Sequence, residues 1–95
     1  MTSYKASEII KALKKKGFQN TPSKHHILLY LFDDDGIQTS IHTWISHDHK
    51  EYSGNLLGEM KRELGLQTSE ELDGIIKCPL KYPQYIQLLR ERELI

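Results

Sequence analysis

The chain lacks most of the features that mark specialised scaffolds. It has one cysteine, Cys78, which excludes an intramolecular disulfide framework and makes a reducing cytoplasm the expected setting. No apolar run approaches the ~20 residues a membrane helix needs, and the opening MTSYKASEII has no long apolar core of the secretory type. No membrane contact is therefore expected. There is no glycine-rich phosphate loop and no nucleophile elbow, so nucleotide cofactors and serine hydrolase chemistry have no support. Three consecutive aspartates, Asp33, Asp34 and Asp35, do not match a calcium loop, which alternates its acids and closes on a glutamate. His47 and His49 have no second cysteine to help complete a zinc set. Neither a metal nor a cofactor is expected.

What is present is one domain's worth of ordinary soluble sequence. Ninety-five residues with 38% hydrophobic content can bury a single modest core. Net charge is zero, but it is unevenly spread. Residues 1–32 carry six lysines against one acid, residues 33–60 carry six acids against one lysine, and residues 61–95 balance. The basic first third could face phosphate.

Periodicity gives an α+β order. Ala6, Ile9, Ile10 and Leu13 recur at helical spacing; Ser3 is placed to cap that helix, and Gly17 to end it. A short first strand follows and weakens at Pro22. The run from His26 to Phe32 is apolar, short and bounded by turn residues, which predicts a strand. Asp34-Asp35-Gly36 predicts a hairpin turn, and Ile37, Thr39, Ile41, Thr43 and Ile45 alternate on one face of the next strand. Ser53 begins a second helix with Leu56, Leu57, Met60 and Leu64 as its buried stripe. Thr68-Ser69-Glu70-Glu71 has the capping-box form for a third helix, stopped at Cys78-Pro79. Pro83 suits the first turn of a last helix. Because the His26–Phe32 strand is apolar on both faces, one face is expected against the helices. The other needs the C-terminal segment, a second copy in a homodimer, or a partner.

Five histidines are available for chemistry. His42 falls on the strand face opposite the isoleucines, an exposed position, and His47 and His49 fall in a polar loop. His25-His26 opens the apolar strand directly after Lys24, at the end of a loop, and adjacent strand residues face opposite ways. Imidazole ordinarily titrates near neutrality, which suits proton transfer in RNA cleavage.

Taken in order, several segments resemble the HicA toxins of toxin–antitoxin systems. KASEIIKALKKKGF resembles that family's opening helix and Gly-Phe exit, and SKHHILLY its histidine-led central strand. DDDGIQTSIHTWISH resembles the turn and last strand, KEYSGNLLGEMKRELGL the second helix, and TSEEL the close. The resemblance covers about residues 4–73. It implies an α-β-β-β-α fold like that of double-stranded-RNA-binding domains: a three-stranded antiparallel sheet with helices on one face. Residues 1–74 would form this domain, and 75–95 a helical C-terminal extension packed on it. It further implies a messenger-RNA endonuclease inhibited by a HicB-type antitoxin, with the catalytic histidine at His25 or His26. That histidine would act as general base on a ribose 2′-hydroxyl or general acid on the leaving oxygen. Lys24 and a subset of Lys11, Lys14, Lys15 and Lys16 would hold RNA phosphates. The alternative on the same fold is a non-catalytic module that binds RNA or protein.

Overall fold

The computed structural model describes residues 3–21, 26–46, 50–77 and 80–95. His25, Lys24, Pro22, His47, His49, Cys78 and Pro79 lie outside them. The elements run β1 (Ser3–Lys5), α1 (Ala6–Lys15), β2 (Phe18–Thr21), β3 (His26–Phe32), β4 (Gln38–Ser46), β5 (Glu51–Ser53), α2 (Gly54–Glu63), α3 (Ser69–Lys77) and α4 (Tyr82–Glu91). Strands β2, β3 and β4 form an antiparallel sheet in that order, and β1 pairs antiparallel with β5 in a second, two-stranded sheet. The chain is thus a small α+β protein.

Alternation decides which way the larger sheet faces. Phe18, Leu29, Leu31, Ile41 and Ile45 are buried and belong to one core with Ile9 and Leu13 of α1, Met60 of α2, Ile75 of α3 and Leu89 of α4. On β4 the intervening residues, Gln38, Ser40, His42 and Trp44, are exposed. The molecule measures 33 × 31 × 19 Å. Its short dimension accommodates one sheet and one layer of helices, each ~10 Å thick.

Local chemistry explains the turns. Asp33 organises the β3–β4 connection: its carboxylate accepts from the backbone amides of Asp35 and Ile37, each at 2.9 Å. Gly36 there has φ +79°, a conformation glycine adopts without strain. The α2 helix starts after Ser53 as expected, and the Thr68 hydroxyl accepts from the Glu71 amide at 3.2 Å to start α3. Glu71 in turn faces the backbone amides at the start of the helix, as the capping-box form expects. Its carboxylate takes the Gln67 amide at 2.7 Å and pairs with Arg92 at 2.5 Å.

Two expectations are corrected. Ser3 does not cap α1: it belongs to β1, and Lys5 stands at the cap position. The Ala6 amide is satisfied instead by the Lys50 carbonyl at 2.8 Å, so strand pairing replaces side-chain capping.

The boundary at residue 74 also falls inside α3, and the segment beyond it is part of the core. Tyr85 is fully buried, stacks with Phe18 at 6.2 Å and donates its hydroxyl to the Leu64 carbonyl at 2.7 Å. The Tyr82 hydroxyl donates to the Phe32 carbonyl at 2.7 Å, and Arg92 donates to the Gly65 carbonyl at 2.9 Å. Residues 75–95 therefore complete the helical layer; they do not cover the sheet's second face.

Candidate functional site

His26 is the first described residue of β3, and alternation turns it away from Ile27, Leu29 and Leu31. It pairs in register with Ser46 of β4, and its ring meets Trp44 edge-on, 4.4 Å between centroids at 78°. Further along the same face Tyr30 and His42 are register partners whose rings stack at 4.8 Å and 20°. Leu28, half-buried, lies opposite Trp44. Trp44 keeps 43% of its surface exposed, so the ring packed on His26 also faces solvent.

The His42 imidazole has a defined orientation. Its Nδ1 lies 2.9 Å from the Ser40 carbonyl. A carbonyl only accepts, so Nδ1 is the donor to it, and in the neutral ring Nε2 is left as an acceptor. His42 is thus exposed on the strand face opposite the isoleucines, as its sequence position predicted.

A cleft of about 510 Å³ opens on the core side of the same end of the sheet. Ile10, Ile27 and Ile45 line it, with Lys5, Ser7, Lys50 and the acid Glu51 also contributing. Ile27 and Ile45 are the register pair next to His26 and Ser46. The His26 ring and this lysine-flanked cleft therefore occupy opposite sides of one sheet end.

The expected lysines divide three ways. Lys24 lies outside the described residues, as does His25. Lys11, Lys14 and Lys15 are exposed, and their i, i+3, i+4 spacing puts them on one side of α1. That helix belongs to the layer opposite the His26 face, so the lysines and His26 do not share a surface. Lys16 corrects the expectation: at 4% exposure it is buried at the C-terminus of α1 and is not offered to an external phosphate.

Among the described residues, one group of three potential metal ligands comes together, Asp33, Asp34 and Asp35. Two of its three carboxylates already have partners. Asp33 accepts two backbone amides, and Asp34 is bound by Arg90 through two nitrogens, at 3.2 and 2.5 Å. The Arg90 guanidinium holds the Asp34 carboxyl below its ordinary range. The cluster serves the turn and its tie to α4.

Sequence reasoning singled out His26 but missed Trp44 and Tyr30 as its companions. The signal was available: His42 and Trp44 share a strand parity, and the hairpin register brings Tyr30 to His42. Lys5 and Lys50 were missed because β1 and β5, which carry or adjoin them, are three residues each. Comparison with protein-family models, with curated proteins and with solved structures returned no match.

Proposed function

We propose that the protein is a HicA-like RNA endonuclease on a double-stranded-RNA-binding-domain-like fold, with His26 at the reacting phosphate. The observation that carries this reading is the position of His26. Its imidazole is held by Trp44 on the outward face of a sheet, at the sheet's end, where an extended polymer can approach it. Leaving aside the three-residue strands β1 and β5, the succession α1, β2, β3, β4, α2 supports the fold assignment.

In the reaction the ribose 2′-oxygen attacks the adjacent phosphorus. A 2′-oxygen–phosphorus bond forms, the bond to the 5′-oxygen of the next nucleotide breaks, and a 2′,3′-cyclic phosphate remains. Neutral His26 accepts the 2′-hydroxyl proton; in its protonated form it donates to the departing 5′-oxygen. His25, its neighbour in sequence, is the candidate for the complementary step. Lys24, next to the pair in sequence, holds phosphates by contacts that do not read the base, and Lys5 and Lys50 do so from the cleft on the other side of the sheet end. Lys11, Lys14 and Lys15 engage RNA that continues past the edge of the sheet. A HicB-type antitoxin would inhibit the protein by covering the His26 face.

The test is incubation of purified full-length chain, His25→Ala, His26→Ala and the double variant with RNA at two salt concentrations. The double variant is expected to lose ~100-fold or more of the cleavage rate with its circular dichroism unchanged. Undiminished cleavage by it contradicts the proposal. Binding without cleavage by the unsubstituted chain moves the protein to a non-catalytic RNA-binding module, a reading favoured by the separation of the α1 lysines from His26.

A further inference from the structure

The face of the β2–β3–β4 sheet turned away from the helices is not a plain apolar surface. It presents two ring pairs, His26 with Trp44 and Tyr30 with His42, and the half-buried ring of Phe32 opposite Gln38. The Tyr30–His42 and Leu28–Trp44 register pairs are successive rungs on this face, two residues and therefore ~6.7 Å apart. Strand β2 adds Gln19 and Thr21, and β4 adds Gln38 and Ser40. Among the described residues, no carboxylate is carried on this face, although the chain as a whole has as many acids as bases.

We propose that this face is a stacking platform for the unpaired bases of single-stranded RNA, with Trp44 and Tyr30 as the seats and His42 alongside. The proposal rests on the RNA-handling part of the function proposed above, though not on its chemical step, and it defines how the substrate lies across His26. Bases inside a duplex have both faces covered by neighbours, so only an unstacked base can take up an exposed ring. Single-strand recognition on a sheet commonly seats two or three bases on aromatics in this way. Rungs ~6.7 Å apart suit neighbouring bases of an extended strand.

Charge and composition favour RNA over a second copy of the chain. A face with aromatic rings, amides, hydroxyls and two histidines, and without carboxylates, leaves phosphate unrepelled. A stable homodimer instead needs ~800 Å² per partner with a largely apolar centre. Of the exposed large hydrophobic residues Ile37, Trp44, Leu56 and Leu94, only Trp44 lies on this face. The Nε2 of His42, left available by the bond from Nδ1 to Ser40, is placed to meet a base edge or a phosphate oxygen.

Trp44 is the chain's single tryptophan, so its fluorescence reads the platform directly. The probe is an unstructured 12-nucleotide uridine oligomer with 2′-O-methyl groups, which blocks attack by the 2′-oxygen and isolates binding. A duplex of the same length serves as comparison. The full chain is expected to show quenched Trp44 emission with the single strand and weaker binding to the duplex. By the anisotropy of a labelled oligomer, which also reads variants without tryptophan, Trp44→Ala and Tyr30→Ala are each expected to weaken single-strand binding ~5- to 150-fold, the range found for loss of one base stack. Trp44→Phe, which keeps a ring, should retain most of the affinity and guards against a folding defect.

Single-strand affinity unchanged in both alanine variants overturns the platform, as does tighter binding of the duplex without quenching. So does a concentration-dependent dimer that Trp44→Ala dissociates, which assigns the face to a second copy. Cleavage that does not depend on Trp44 removes the platform and leaves the nuclease. Ring-dependent binding without cleavage of unmodified RNA supports the platform and removes the nuclease.

Discussion

Tyr85 tests whether α4 is part of the core or an appendage. Its side chain is completely buried, its ring stacks with Phe18, and its hydroxyl donates to the Leu64 carbonyl at 2.7 Å. Burial pushes the phenol above its ordinary range, so it remains a donor throughout the neutral region. Tyr85→Phe keeps the ring and removes the donor, leaving the Leu64 carbonyl without that partner, at a cost of about 1–2 kcal/mol. Tyr85→Ala also removes the ring and leaves a cavity beside Phe18, raising the cost to about 3–5 kcal/mol. A domain of this size is stable by only ~5–14 kcal/mol, so the alanine variant loses a large part of the total. The assay is urea unfolding followed by far-ultraviolet circular dichroism, with the midpoint falling and the slope retained. If Tyr85→Ala costs less than about 1 kcal/mol, α4 is peripheral and the reasoning fails.

Three further outcomes follow from the same structure. Arg92, beside Glu71, together with the amides of Gln67 and Thr68, lowers the Glu71 carboxyl to about 2. Its contribution is therefore present above the ordinary carboxylate range and lost as pH falls toward 2. Glu71→Gln should remove that part of the acid sensitivity, about 1–2 kcal/mol after screening by solvent, measured as stability against pH. Tyr4 is raised to about 12, first by burial and then by donating to Asp73. The stability it brings is present below pH ~10 and lost as pH rises through 12; Tyr4→Phe should cost about 1–3 kcal/mol at neutral pH and flatten the alkaline limb. Gly17 has φ +88°, and a Cβ there would collide with the Tyr82 ring, so Gly17→Ala should lower stability by about 1–3 kcal/mol in thermal unfolding.

Much of the fold was legible because strong periodicity and turn chemistry agreed. Ile9 and Leu13 marked the buried side of α1, the Ile41–Thr43–Ile45 alternation fixed the inward face of β4, and Asp34-Asp35-Gly36 marked the hairpin. Ser53 and Pro83 located the starts of α2 and α4. Strands β1 and β5 were not legible, since three residues with one tyrosine each give no alternation to read. Tyr4 and Tyr52 become informative only once they are seen paired. The burial of Lys16 was hidden for a related reason: three consecutive lysines look alike in sequence, yet a helix turns ~100° per residue and carries the third inward. Residues 75–95 resembled an addition because the family resemblance ends near residue 73, although eleven of these twenty-one residues are apolar. Their partners, Phe18, Leu64 and Gly65, are distant in sequence.

At the candidate site, sequence identified His26 as an unusual strand residue but could not supply its neighbours. Trp44 and Tyr30 gain meaning from the β3–β4 register, which carries a bulge between Tyr30 and Phe32 that no spacing rule anticipates. Proximity to lysine was not legible in the sequence for the same reason. Lys11, Lys14 and Lys15 precede His26 closely in sequence, but the intervening β2 strand puts them in the opposite layer.

The central claim is that the His26 imidazole transfers a proton during RNA cleavage. The most direct measurement compares the full chain with His26→Ala on a defined unpaired RNA, following labelled fragments and their terminal groups. The account predicts products ending in 2′,3′-cyclic phosphate from the unsubstituted chain and ~100-fold or slower cleavage by His26→Ala, with RNA affinity largely kept. Equal cleavage rates for the two, or no cleavage by the unsubstituted chain while it binds the same RNA, would contradict it.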